Sequence, residues 1–236
     1  MTIEYDPTSG TLRGTVEEIR SARTALRDED APPPAGLPVD DPILEAVRTA
    51  LRTPMLALEV TNSGPGGSHR HLIDAGVNAV TVRWSTAGSD LAELAPSPFQ
   101  VLPGAITRLV GFRPGRPPAD GAPAVAVEAP QIQALASDDA TERTGAWEQI
   151  RAQLGELVDP AEADASWQLV RSHCSWTATD GRATEDLAVY LRAGEAYFVL
   201  VQDGESLELV PAPSITAWEA MMQVLPGASE IEDPRP

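Results

Sequence analysis

The chain repeats one phrase. Residues 75–110 (AGVNAVTVRWSTAGSDLAELAPSPFQVLPGAITRLV) and 193–226 (AGEAYFVLVQDGESLELVPAPSITAWEAMMQVLP) both open on Ala-Gly. Each then runs through an alternating apolar stretch to Glu-Leu-x-Pro-x-Pro and closes on an apolar segment of helical spacing. The opening dipeptides lie 118 positions apart and Pro96 and Pro211 lie 115 apart, a drift that a longer first turn at 85–90 absorbs. A period this long is no solenoid signal. It describes two related halves in one chain, and no other feature of the sequence constrains the fold as strongly.

The second copy is the more legible. Residues 195–202 and 206–210 read as a hairpin turning at Asp203-Gly204, Pro211 and Pro213 break the strand, and 214–225 form a helix. The first copy gives strands at 77–84 and 91–95, a break at Pro96 and Pro98, and a helix over 99–110. Strands at 55–61 and 69–74 precede it, and 167–173 and 185–192 precede the second copy. Thr15 with Glu18 three positions on is a capping box for a helix over 15–28, and Asp40 with Pro42 starts another over 40–52. Residues 1–14 read as an irregular or weakly paired end, and 134–158 as one long helix with a stripe of Trp147, Ile150, Leu154 and Leu157. The expected class is α+β: two pseudo-symmetric halves, each an antiparallel sheet with helices packed on one face. The expected organisation is an N-terminal helix and linker (1–39), a first half (40–115), a connector and long helix (116–165), a second half (166–227) and an acidic tail (228–236).

Composition removes several functions. All 17 basic residues are Arg, so no Schiff-base lysine and no phosphate-loop lysine exists. A formal charge of −18 disfavours nucleic acid and anionic membranes as partners. The single cysteine, Cys174, makes no internal disulfide, and no apolar run reaches the roughly 18 residues of a membrane span. The first ten residues lack a basic and apolar leader pattern. These features lead to the expectation of a cytoplasmic protein.

The candidate sites are modest. His69 and His71 share one face of a strand, the start of a two-ligand metal site, but no third ligand stands at a diagnostic spacing. His173 and Cys174 point to opposite faces of their strand and make no thiol–base pair. Ser63-Gly64-Pro65-Gly66-Gly67-Ser68 is glycine-rich but lacks the phosphate-loop pattern, and reads as a flexible hairpin tip suited to recognition. Trp147, Trp167 and Trp218 fall in phase with apolar neighbours, whereas Trp176 sits in a polar turn where an exposed aromatic anchors partners. Asn62, Ser63, Gly66, Gly67 and Trp176 are therefore the candidate partner-binding residues. No catalytic residue, cofactor or metal is expected.

The order of these phrases resembles the EspG family, the cytosolic chaperones of actinobacterial type VII (ESX) secretion. The resemblance is carried by 56–60, 75–84, Leu94-Ala95-Pro96-Ser97-Pro98 with 106–110, then 197–201, Leu209-Val210-Pro211 and 218–226, and it covers roughly residues 40 to 227. It implies a binding protein without turnover that covers the helical tip of a PPE-like partner in a PE–PPE pair and keeps it soluble for export. The segment before Asp40 departs from the family's leading strand-and-helix signature. A second reading is an immunity or regulatory protein whose acidic surface meets a basic, toxin-like partner. Two halves that satisfy each other lead to the expectation of a monomer.

Overall fold

The computed structural model describes residues 3–31, 34, 36–38, 40–76, 80–85, 90–204, 206–227 and 229–231. The expected strand start at 77–79, the turn at 86–89, the side chain of Trp84 and the end of the acidic tail lie outside the described residues.

The first half begins with β1 (Glu4–Asp6), β2 (Thr11–Thr15), α1 (Val16–Arg27) and α2 (Pro42–Arg52). It continues with the meander β3 (Leu56–Gly64), β4 (Gly67–Ala75), β5 (Val80–Ser85) and β6 (Leu91–Ser97), and ends in α3 (Leu102–Leu109). The second half begins with β7 (Val125–Val127), α4 (Ala129–Leu135), α5 (Ala140–Leu154) and α6 (Pro160–Ala165). Its meander is β8 (Trp167–Thr177), β9 (Ala183–Ala193), β10 (Ala196–Asp203) and β11 (Ser206–Ala212), closed by α7 (Ser214–Gln223). Each meander carries a further strand on its last member, β2 on β6, with β1 outside it at the edge, and β7 on β11. The unit is thus strand, helices, four-strand meander and helix, written twice.

The two meanders join through β3 and β8 into one antiparallel sheet of order β1-β2-β6-β5-β4-β3-β8-β9-β10-β11-β7. Ala75 pairs with Val80 and Arg192 with Tyr197, so the halves match at a spacing of 117 in these turns, one less than the Ala-Gly dipeptides suggest. In the second turn Ala193 pairs with Ala196 across Gly194-Glu195. Across the ladders the same match sets Leu56 with Gln168 and therefore Val60 with Ser172. Val60 and Ser172 pair with each other, and the approximate twofold axis passes through that pair.

Glycine is required at Gly194. Its φ is 62°, and an added Cβ would lie 2.8 Å from Cβ of Glu162 on α6. Gly194→Ala is expected to cost about 1–2 kcal/mol, read as a lower urea midpoint at unchanged slope.

Period-2 alternation sends the apolar residues of the strands to two faces. On one face Leu56, Leu58, Val60, Ile73, Val170, Cys174 and Tyr190 are covered by Leu102 and Ile106 of α3 and Ala217 and Met221 of α7. On the other face the helices sit toward the two ends. There α1 and α2 bury Leu12, Ala92 and Leu94, and α4 and α5 bury Leu169, Leu191, Phe198 and Leu209.

The capping box of α1 forms as its residues dictate: Glu18 N–H donates to Thr15 Oγ1 at 3.2 Å, and Thr15 N–H donates to Glu18 Oε2 at 2.9 Å. Two local expectations change. The N-terminal segment expected to be irregular holds β1 (Glu4–Asp6) and most of β2 (Thr11–Thr15), and Leu12 lies opposite Leu94 in the ladder, a partner 82 positions away that local pattern does not reveal. The long helix at 134–158 is two helices, because the Asp139 carboxylate accepts from Thr141 and Glu142 N–H and starts α5 afresh. Gly155, with φ 52°, ends it.

Candidate functional site

The face carrying the paired helices is open at its centre. The register places Arg70 and Leu72 of β4, Glu59 and Thr61 of β3, Arg171 and His173 of β8, and Glu185 and Leu187 of β9 on this one surface. All are partly or well exposed. From β4 to β9 the strip spans three inter-strand gaps, about 14 Å. A helix with its side chains is about 10–12 Å across, so the strip has room for one helix or the end of a helical hairpin. The twofold axis emerges at its centre, between Glu59, Thr61, Arg171 and His173.

The strip is charged but balanced. Arg70 Nε lies 3.1 Å from Glu59 Oε1, and His173 Nε2 lies 3.1 Å from Glu185 Oε2. At one end the strip runs into an open cleft of about 540 Å³ lined by Arg27, Pro54, Met55, Ser175, Trp176 and Glu185. Beside it the sheet is braced by a buried ion pair: the Arg23 guanidinium of α1 makes contacts of 2.6 to 3.1 Å with the Asp74 carboxylate.

The residues singled out by sequence take different positions. The Ser63–Ser68 segment is a short turn between long strands and packs onto the second half. Ser63 is buried and its hydroxyl donates to Ser68 Oγ at 3.0 Å, while Ser68 Oγ donates to the Ala136 carbonyl at 3.3 Å. The buried Arg143 of α5 donates to the Gly64 carbonyl at 3.1 Å. Asn62 Oδ1 accepts from Gln168 Nε2 at 2.7 Å. Gly66 is exposed at the turn, and Gly67 opens β4. The polar turn expected around Trp176 is strand instead: Trp176 lies in β8, partly buried on the α3/α7 face, with Thr184 and Leu56 as register partners. It borders the end of the cleft.

His69 and His71 share the α3/α7 face, with ring centroids 6.4 Å apart, and His173 stands on the opposite face. The three imidazoles do not converge. Burial, and then the charge of Arg143, lower the pKa of His69. Cys174 is fully buried beneath α3 and α7, and burial with the nearby Asp186 pushes its thiol up to about 12, where thiolate chemistry is suppressed. Trp147 and Trp167 are buried and stack on each other.

Sequence reading missed Arg171, Leu187, Glu59 and Glu185. Their mixed pattern of charged and apolar residues within long strands marks a face left half solvated, but only the register tells which elements leave it open.

No protein-family model and no curated protein matches the sequence. A solved structure does, that of the Mycobacterium tuberculosis type VII secretion system chaperone EspG5 in complex with a PE25–PPE41 dimer. The match has a TM-score of 0.52 at 14% identity and covers 94% of this chain and 100% of EspG5. The fold resembles that of EspG5. At this identity the likeness establishes a shared α+β architecture over 94% of this chain and all of the other. No helix among the described residues is long and apolar enough to cross a membrane.

Proposed function

We propose that this chain is a binding protein that shields the helical tip of a PE/PPE-like secreted partner, acting in the cytoplasm as a monomer and without turnover. The observation that carries this reading is the likeness to EspG5 over 94% of this chain and the full length of the other. The open strip supports it physically, since a surface one helix wide can cover an apolar helix end that would otherwise aggregate.

The charge of the strip favours this reading over the toxin-binding one. The chain as a whole carries −18, yet the strip sets Arg70 and Arg171 against Glu59 and Glu185. Acidity kept away from the binding face does not suit a basic partner.

The test is co-expression of the tagged chain with PE–PPE pairs of its own genome, and with PE25–PPE41 as a heterologous probe, followed by size-exclusion chromatography with light scattering. A 1:1:1 complex with one pair is the expected result. Failure of every pair to co-elute, together with capture of a basic protein through the acidic surface, would transfer the chain to the toxin-binding class.

A further inference from the structure

The strip straddles the twofold axis, but its chemistry is not twofold. At a spacing of 112, Glu59 of the first half corresponds to Arg171 of the second, and at 117 Arg70 corresponds to Leu187. The first-half side therefore carries an internally paired Arg70–Glu59, whose charges are already compensated. The second-half side carries Leu187, an apolar side chain left 51% exposed in mid-strand, and Arg171 two rows away on β8. Among the described residues Arg171 makes no ion pair and no side-chain hydrogen bond, in a chain whose 35 acidic residues outnumber its bases two to one. Its neighbours on the strip are Thr61 directly opposite on β3, Val189 on β9, and His173 two positions on.

A partly buried cation without a counter-ion and an exposed leucine beside it make a composite anchor for one kind of surface. We propose that Arg171 and Leu187 hold one arm of the helical partner, taking an acidic side chain on the guanidinium and an apolar side chain on Leu187. The inference rests on the binding reading above and deepens it. Because the equivalent first-half positions are Glu59 and Arg70, the mirrored orientation would bring the partner's acid to Glu59 and its apolar residue to Arg70. The broken symmetry thus selects one of two docking orientations that the backbone alone offers equally.

The experiment measures the affinity of the PE–PPE pair captured by the native chain for Arg171→Glu, Arg171→Lys, Leu187→Asp and, on the opposite face, the exposed α7 residue Ile215→Asp. Thermal melts confirm that each variant is folded. The expected result is a loss of at least ~10-fold for Arg171→Glu and for Leu187→Asp. Arg171→Lys should recover most of the affinity, and Ile215→Asp should match the native chain. Native-like binding by Arg171→Glu and Leu187→Asp would overturn the anchor while leaving the chaperone reading intact. So would an equal loss in Ile215→Asp. If the native chain captures no PE–PPE pair, the binding reading fails and the anchor with it.

Discussion

Replacing Trp147 by Ala is expected to remove about 3–5 kcal/mol of stability, the largest single-residue loss in the second half. The indole is 4% exposed and stacks on Trp167 with ring centroids 5.1 Å apart and planes 13° from parallel. Its Nε1 donates to Asp164 Oδ1 at 3.1 Å, and Arg151 Nε sits 3.0 Å from the same oxygen. One side chain thus ties α5 to the start of β8 and to α6. Truncation opens a cavity the surrounding ladder cannot close, because Trp167 is fixed by its pairing with Ala193. Urea unfolding followed by circular dichroism measures the loss, and Trp147→Phe should restore much of it by keeping the ring contact without the hydrogen bond. A change below about 1 kcal/mol in Trp147→Ala would mean that the α5–β8 contact does not hold the second half together.

The second large effect is expected at Arg143. Its side chain is buried on α5, with Nε donating to the Gly64 carbonyl at 3.1 Å and Nη1 to the Ser137 carbonyl at 2.8 Å. It joins the tip of the first half's β3–β4 hairpin to a helix of the second half. Arg143→Ala leaves two carbonyls without this donor and removes a packed stem, for a loss of about 2–4 kcal/mol. Two further readouts follow. Amide exchange at residues 64–68 should accelerate more than in the remainder of the sheet, since the hairpin end loses its tether. Removing a nearby positive charge relieves part of what lowers the His69 pKa, so an NMR titration should place that imidazole higher in Arg143→Ala than in the native chain. An unmoved His69 together with unchanged stability would show that the hairpin stands on its own.

The tether also explains why the glycine-rich segment reads differently in the sequence and in the fold. Ser63, Gly64, Gly66, Gly67 and Ser68 have the composition of a free recognition tip, and composition is all the local chain reports. The carbonyl that accepts from Ser68 and the guanidinium that donates to Gly64 come from residues 68 and 79 positions away. Trp176 is a similar case. Its polar neighbours, Ser175, Thr177 and Asp180, suggest a turn, yet cross-strand pairing with both β3 and β9 extends the strand to Thr177.

Residue order by itself determined the α+β class, the repeated meander-and-helix, the capping box at Thr15 and the absence of lysine chemistry. These follow from short-range causes: alternation, proline breaks, caps and the side-chain inventory. Tertiary structure alone decided that the two halves share one sheet through β3 and β8, that residues 11–15 pair with β6, and that the centre of one face stays uncovered. The physical reason is that ladder pairing and helix placement depend on contacts across a hundred residues, which no window of sequence contains. The anchor of Arg171 and Leu187 belongs to this second class: the β8–β9 register makes them diagonal neighbours, and the placement of the helices toward the two ends of the sheet leaves them uncovered.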